Sequence, residues 1–248
     1  MTRALVIPAA GRGTRLGFNG PKALCPVNGE PMLRHLLRLY APIVDHVVVV
    51  ASPDGLPAIA EAVRLSARPV TCAVQAEPTG MLPAILCAVP AIEGGSADEI
   101  WITWCDQVGI SQGTLAAIAS ALHDHPSAAL VFPTVCQTPP YIHFQRDAMD
   151  RIIGVLQRRE GDVMPEAGES DTGLFVLRRA AFLDQLRTYD AIAPHGDGTR
   201  ERNFLPFIPW LARTTEVRTV PLADPSEAIG VNTPAELAIL ETYLRDRT

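Results

Sequence analysis

Short apolar runs alternate with amphipathic stretches along the first half of the chain. Ala4 to Ile7 is an apolar run, and a Gly/Pro-rich segment follows from Pro8 to Pro26. Pro31 to Tyr40 predicts a helix with proline in its first turn. Val47 to Ala51, four valines and an alanine, predicts a strand buried on both faces. Leu56 to Leu65 reads as a helix, Val70 to Val74 as a strand, Thr79 to Val89 as a helix despite Pro83, and Ile100 to Thr103 as a strand. Ser111 is placed to cap a helix that reaches His123. Strands and helices alternating at this spacing predict a parallel sheet with helices on both faces. The pattern then loosens. Ala128 to Val135, Ile142 to Phe144, Ile152 to Leu156, Thr172 to Leu177 and Val217 to Pro221 read as strands of a mixed region. Phe204 to Leu211 reads as a broken helix and Pro234 to Leu244 as a closing one. With no repeat and no long linker, residues 1–248 are expected to form one domain.

Composition narrows the classes. Of 248 residues 48% are hydrophobic, and 22 prolines with 18 glycines follow no period, which excludes disorder and collagen-like sequence. A net charge of −6 argues against nucleic acid and anionic membranes as partners. No stretch approaches the ~20 apolar residues of a membrane span, and the apolar start is too short for a signal peptide. Five cysteines, an odd number without a C-x-x-C pair, read as reduced thiols of a cytoplasmic protein. Six histidines without an H-E-x-x-H motif argue against a zinc enzyme.

The sharpest chemistry lies directly after the first strand, in Pro8-Ala9-Ala10-Gly11-Arg12-Gly13-Thr14-Arg15-Leu16. Open parallel sheets bind ligands at the carboxyl ends of their strands. Gly11 and Gly13 allow close backbone approach and can aim N–H groups at phosphate oxygens. Leu16 replaces the third glycine of a dinucleotide fingerprint, and no G-x-x-x-x-G-K-[ST] occurs, so those two binding modes are excluded. What remains is G-x-G-x-R followed by Pro21-Lys22: a forked guanidinium and a compact ammonium, both suited to phosphate.

Gly11-x-Gly13-x-Arg15, Pro21-Lys22-Ala23-Leu24 and Gly29-Glu30-Pro31-Met32 resemble the opening of sugar-1-phosphate nucleotidyltransferases. The likeness is greatest to the uridylyltransferase domain of the bifunctional N-acetylglucosamine-1-phosphate uridylyltransferases. Gln75-Ala76-Glu77 with Gly80, Trp104-Cys105-Asp106, Glu169-Ser170-Asp171-Thr172-Gly173 and Gly230-Val231-Asn232 continue it in order, over nearly the whole chain. The resemblance implies a three-layer α/β/α, Rossmann-like fold, its mixed sheet mostly parallel. It places the nucleotide-binding part over residues 1–125 and the acceptor-binding part over residues 126–248. The chain stops at Thr248, which on this resemblance leaves no room for the relatives' acetyltransferase domain.

Asp106 follows an apolar strand, where a carboxylate suits Mg²⁺, an ion that takes few protein ligands; it could equally cap a helix, although Ser111 is better placed for that. The resemblance makes Asp106 a magnesium ligand and Asn232 the second, through its amide oxygen. Read alone, Asn232 is also a candidate cap for the helix from Pro234, and Glu227 is a substitute ligand. Gln75 and Gly80 match positions that read the nucleobase, while Ala9, Ala10 and Gly11 are expected under the base and ribose. Met81 stands where related uridylyltransferases carry threonine. Glu169, Asp171, Thr172, Gln157 and Tyr141 stand at acceptor positions. Several depart from the family pattern: Asp171 for asparagine, Gln157 for glutamate, and Ile142 for the glycine after Tyr141. N-acetylglucosamine 1-phosphate is therefore expected to be a poor acceptor, and the true one to offer hydroxyl or ammonium donors to Asp171.

The implied reaction is attack by a phosphate monoester on the α-phosphorus of an NTP, UTP favoured, with release of pyrophosphate. A monoester's second pKa of ~6 leaves the nucleophile ionised at neutral pH, so no general base is required. Arg15 and Lys22 would hold the triphosphate, with Mg²⁺ as cofactor. The competing readings are a cytidylyltransferase acting on a polyol phosphate, a molybdopterin nucleotidyltransferase, whose Gly-Gly-x-Ser loop this chain lacks, and a nucleotide-binding regulator without turnover.

Overall fold

The computed structural model describes residues 1–247. From the N-terminus, β1 (Arg3–Pro8) leads through the glycine loop to the short strands β2 (Pro26–Val27) and β3 (Glu30–Pro31). Then come α1 (Met32–Tyr40), β4 (His46–Ala51), α2 (Leu56–Val63), β5 (Val70–Val74), α3 (Met81–Leu86), α4 (Val89–Glu93), β6 (Glu99–Thr103) and α5 (Gln112–Asp124). The second half adds β7 (Ala128–Gln137), β8 (Ile142–Arg146), β9 (Ile152–Gln157), β10 (Gly168–Asp171) and β11 (Leu174–Arg178). It closes with α6 (Leu186–Asp190), α7 (Phe207–Leu211), β12 (Glu216–Pro221) and α8 (Pro234–Asp246).

Eight strands form one sheet in the order β10-β7-β11-β6-β1-β4-β5, with β12 also on β7. The β6-β1-β4-β5 portion is parallel, β11 runs antiparallel between β6 and β7, and β12 is parallel to β7. Alternation along each strand divides the core between the two faces. Leu5, Ile7, Val47 and Val49 pack with Leu33, Leu36 and Tyr40 of α1, Ile59 of α2, Leu115 and Ile118 of α5 and Leu240 of α8. Ala4, Val6, Val48 and Val50 pack on the other face with Leu82 and Ile85 of α3, Ile92 of α4, Leu186 of α6 and Phe207 of α7. The sheet is therefore covered on both sides, giving the expected three-layer α/β/α, mostly parallel mixed fold.

Several details differ from the pattern-based expectation. The helix expected over Thr79 to Val89 is two, α3 and α4, broken at Cys87 and Ala88. Pro90 is the cause: it has no N–H, and its ring would clash with the Leu86 carbonyl in a continuous helix. The strand expected from Thr172 starts only at Leu174, because Gly173 at φ +74° separates it from β10. The helical stretch from Ala181 through α6 went unread, since Ala-Ala-Phe-Leu-Asp-Gln-Leu offers no clean 3.6-residue stripe. The short strands β2, β3 and β10 were likewise not anticipated, and the other named elements match within a few residues. Among the described residues no helix is long and apolar enough to cross a membrane, and all five cysteines are free thiols.

Candidate active site

The glycine loop folds back on itself. Ala9 N donates to Val50 O at 2.7 Å, Gly13 N to Gly20 O at 3.1 Å, and Lys22 N to Gly11 O at 2.9 Å. Gly13 is buried against Phe18, and its N–H is taken by the loop; the sequence reading offered that N–H to phosphate. Gly11 is exposed, with open space where a Cβ would stand, so the backbone there remains approachable. Ala9 is buried and Ala10 half-buried beside it.

This folding-back carries Lys22 to the end of β6. Trp104 N donates to Gly173 O at 3.0 Å and Gln107 N to Trp104 O at 3.1 Å, so the chain turns sharply and holds Asp106 at the sheet's carboxyl edge. Val231 N reaches Asp106 O at 3.4 Å, drawing Gly230-Val231-Asn232 alongside. Lys22 Nζ then pairs with Asp106 Oδ2 and donates to Asn232 Oδ1 at 2.8 Å, while Arg15 Nη2 donates to the same Oδ1 at 3.0 Å. Four residues spread from position 15 to position 232 thus meet. Lys22 and Asp106 are largely sheltered, with side chains 14% and 13% exposed.

Asn232 is free for this contact because its neighbour does the capping. Thr233 is the N-cap of α8 and forms a capping box with Glu236. Glu227 is likewise committed elsewhere: buried, it accepts from Ser111 N at 2.8 Å, Ser111 Oγ at 3.1 Å and Thr114 Oγ1 at 2.6 Å at the start of α5. It is thus a structural carboxylate and not a substitute metal ligand.

The donor set suits a small divalent cation. Asp106 and Asn232 turn two oxygens toward a single positive group, the Lys22 ammonium, and a carboxylate with an amide oxygen is a donor pair of the hard kind that Mg²⁺ takes. A Cβ on Gly230 would stand 2.9 Å from Gln107 Nε2 and 3.6 Å from both Asn232 Nδ2 and Asp106 Oδ2, so the absence of a side chain keeps a polar cradle open. Among the described residues no three His, Cys, Asp or Glu side chains cluster as a metal cage. Mg²⁺ needs no such cage, taking one or two protein ligands and completing its shell with phosphate and water.

The base and acceptor residues fall into separate groups. Gln75, buried at the end of β5, donates through Nε2 to Gly80 O at 3.0 Å. Asp171 closes its own turn, its Oδ1 accepting from Gly173 N at 2.7 Å. Burial pushes the Asp171 carboxyl up to about 6; the Gly173 hydrogen bond opposes this and the Asp106 charge adds to it. Glu169 accepts twice from Arg146, at 2.7 Å each. Burial raises its pKa, but the Arg146 contacts outweigh that and hold it low, so an acceptor group reaching Glu169 would have to share it. Thr172 is fully buried and its Oγ1 has no partner among the described residues. Tyr141, half exposed, and Gln157 lie at the open end of the β8–β9 hairpin, joined to the Asp106 group by no hydrogen bond among those described.

Gln107 escaped the sequence reading. Its side chain is buried between Gly173 and Gly230, with Oε1 unpartnered among the described residues. Its place directly after Asp106 was the available signal.

The raised Asp171 pKa makes a stability prediction. The unfolded carboxyl loses its proton near the ordinary pKa of ~3.9, the folded one only near 6, so the benefit of the folded proton is complete below 3.9 and gone above 6. Without nucleotide or divalent ions, wild-type Tm should therefore fall relative to that of Asp171→Asn as pH rises from 4 to 7. The asparagine keeps the oxygen that Gly173 N needs. Parallel Tm profiles in a pH series of thermal melts would show that the carboxyl titrates normally.

Comparisons with known proteins converge on one family. Residues 5–200 match the MobA-like NTP transferase domain. The bifunctional protein GlmU of Pelotomaculum thermopropionicum is 30% identical over 251 residues, covering 100% of this chain and 53% of that protein. GlmU of Acidithiobacillus ferrooxidans is 31% identical over 252 residues, covering 97% of this chain and 51% of its own length. The chain thus spans about half the length of the curated relatives it matches. A solved CMP:2-keto-3-deoxy-manno-octonic acid synthetase complexed with CTP superposes with a TM-score of 0.72 over 100% of both chains; at 17% identity it supports the fold alone. Fold, loop and family match agree: the chain belongs to the MobA-like NTP transferase domain family and is a nucleotidyltransferase.

Proposed function

We propose that this nucleotidyltransferase moves a nucleoside monophosphate from an NTP, UTP favoured, to a sugar 1-phosphate or related phosphate monoester, and releases pyrophosphate. The observation that carries the proposal is the meeting of Arg15, Lys22, Asp106 and Asn232 at one point beside the glycine loop. Phosphoryl-type transfer to an ionised monoester asks a protein for positioning and charge neutralisation, and this group offers both. Arg15 and Lys22 would bind the triphosphate oxygens and steady the pyrophosphate as it leaves. Asp106 and Asn232 would hold Mg²⁺, which when bound neutralises phosphate charge. Gln75 and Gly80 would line the base, with Ala9, Ala10 and Gly11 beneath it. Asp171, Thr172, Glu169, Gln157 and Tyr141 would form the acceptor side. With Oδ1 already accepting from Gly173 N, Asp171 favours an acceptor that brings hydroxyl or ammonium donors to the rest of the carboxylate, because incompletely satisfied charge in a partly dry pocket is costly. Five free thiols fit a reducing cytoplasm.

The test is pyrophosphate release from each of the four NTPs with Mg²⁺, against a panel of sugar 1-phosphates and polyol phosphates. Turnover of UTP with a sugar 1-phosphate supports the proposal. Turnover confined to CTP with a polyol phosphate replaces it with the cytidylyltransferase reading. Tight NTP binding without release from any pair makes the protein a regulator.

A further inference from the structure

Glu160 lies in the helical turn Arg158–Glu160 directly after β9, remote in sequence from every nucleotide-binding position. Its carboxylate receives four hydrogen bonds from one short segment. Oε2 accepts from Gly198 N and Thr199 N at 3.0 Å each, and Oε1 accepts from Thr199 Oγ1 at 2.7 Å and Asn203 Nδ2 at 2.8 Å. Arg159 adds an ion pair to Glu201 at 3.1 Å. The same segment lies across Gly80: Arg202 N donates to Thr79 O at 2.9 Å and Leu82 N to Arg202 O at 3.0 Å. The fit over Gly80 is tight, since a Cβ there would stand 2.5 Å from Arg202 O and 2.6 Å from Arg202 N, and its φ of +123° favours glycine in any case. Gly80 O in turn accepts from Gln75 Nε2 at 3.0 Å. One continuous path therefore runs from Glu160 through 198–203 to Gly80 and Gln75.

We infer that Glu160 is a positioning residue for the nucleobase loop: it latches the 198–203 segment, which presses Gly80 and Gln75 into their binding geometry. The inference rests on the assignment of Gln75 and Gly80 to the base. A six-residue strap without a buried side chain stays ordered only if its polar groups are satisfied, and a carboxylate, with about four lone-pair sites, matches four donors. The hairpin that carries Gln157 is thereby joined to the base loop, so acceptor and nucleotide sites share one strap.

The test is direct binding of NTP and of inorganic tripolyphosphate, both with Mg²⁺, by calorimetry. Tripolyphosphate reports only the Arg15 and Lys22 cradle. Glu160→Ala is expected to raise the NTP dissociation constant about tenfold, as an ordered loop becomes a minor state, and to leave tripolyphosphate within about twofold. Glu160→Gln is expected to recover most of the affinity. Its oxygen can take the two backbone N–H groups, while its amide donates to a rotated Thr199 hydroxyl and a flipped Asn203. Asn203→Ala, the milder variant should Glu160→Ala fold poorly, is expected to weaken NTP about threefold by the same logic. NTP affinity unchanged in both Glu160→Ala and Asn203→Ala overturns the latch, as does an equal loss for NTP and tripolyphosphate. Wild-type protein that binds no NTP overturns the base-site assignment and the latch with it, and so is distinguishable from failure of the latch alone.

Discussion

Asp106→Asn should lower pyrophosphate release at least a hundredfold while the protein stays folded. The substitution keeps an oxygen for Lys22 but removes the negative charge that would hold Mg²⁺, and a divalent ion can supply several kcal/mol of transition-state stabilisation. Asp106→Ala is a poorer choice. The Lys22–Asp106 pair is largely sheltered, and removing one partner of such a pair can cost about 3–5 kcal/mol by stranding the other charge. The alanine variant should therefore lose thermal stability as well as turnover, and only the asparagine variant separates the two. Steady-state kinetics across a Mg²⁺ titration, paired with thermal melts, provide the measurement. Near-normal turnover by Asp106→Asn at low Mg²⁺ would remove Asp106 from the metal site.

Lys22→Ala carries the second large effect, an expected fall in kcat of about a hundredfold with a much smaller rise in the NTP dissociation constant, together with a loss of thermal stability because Asp106 is left without its partner. Negative charge on the departing pyrophosphate grows toward the transition state, so an ammonium aimed at it contributes more there than in the ground state. Arg15→Ala should act in the same direction but less, since among the described residues Arg15 reaches the group through Asn232 Oδ1 alone and its side chain is exposed. Single-turnover rates set beside equilibrium binding decide the matter. Equal losses in rate and affinity would mean that Lys22 binds the triphosphate uniformly.

Much of the architecture was legible because its causes are local. The four valines of β4 leave few alternatives to a strand buried on both faces. Ser111 caps α5 as its position suggested, accepting from Thr114 N at 2.9 Å. The break between α3 and α4 was also present in the sequence, at Pro90, but the apolar run around it masked the signal. The four residues that meet in the candidate site were legible where a motif names them: Arg15 and Lys22 in the glycine loop, Asp106 at a strand end, Asn232 before the closing helix.

What each of those side chains does is a long-range matter. Whether Asn232 or Thr233 caps α8 turns on Glu236 reaching back to both backbone N–H groups, and on Lys22 lying 210 positions away in the chain to engage the freed amide. Glu169 matched an acceptor position, yet Arg146, 23 residues earlier on another strand, takes its carboxylate. Glu160 carries no motif at all, and its partners Gly198, Thr199 and Asn203 come from a segment about 40 residues further along the chain. The sequence by itself determined most strands, most helices and the chemical inventory, because hydrophobic periodicity and capping act over a few residues. The tertiary structure alone decided which charges meet and which are spent on one another, because hydrogen bonds and ion pairs are set by distances of about 3 Å between groups far apart in the chain.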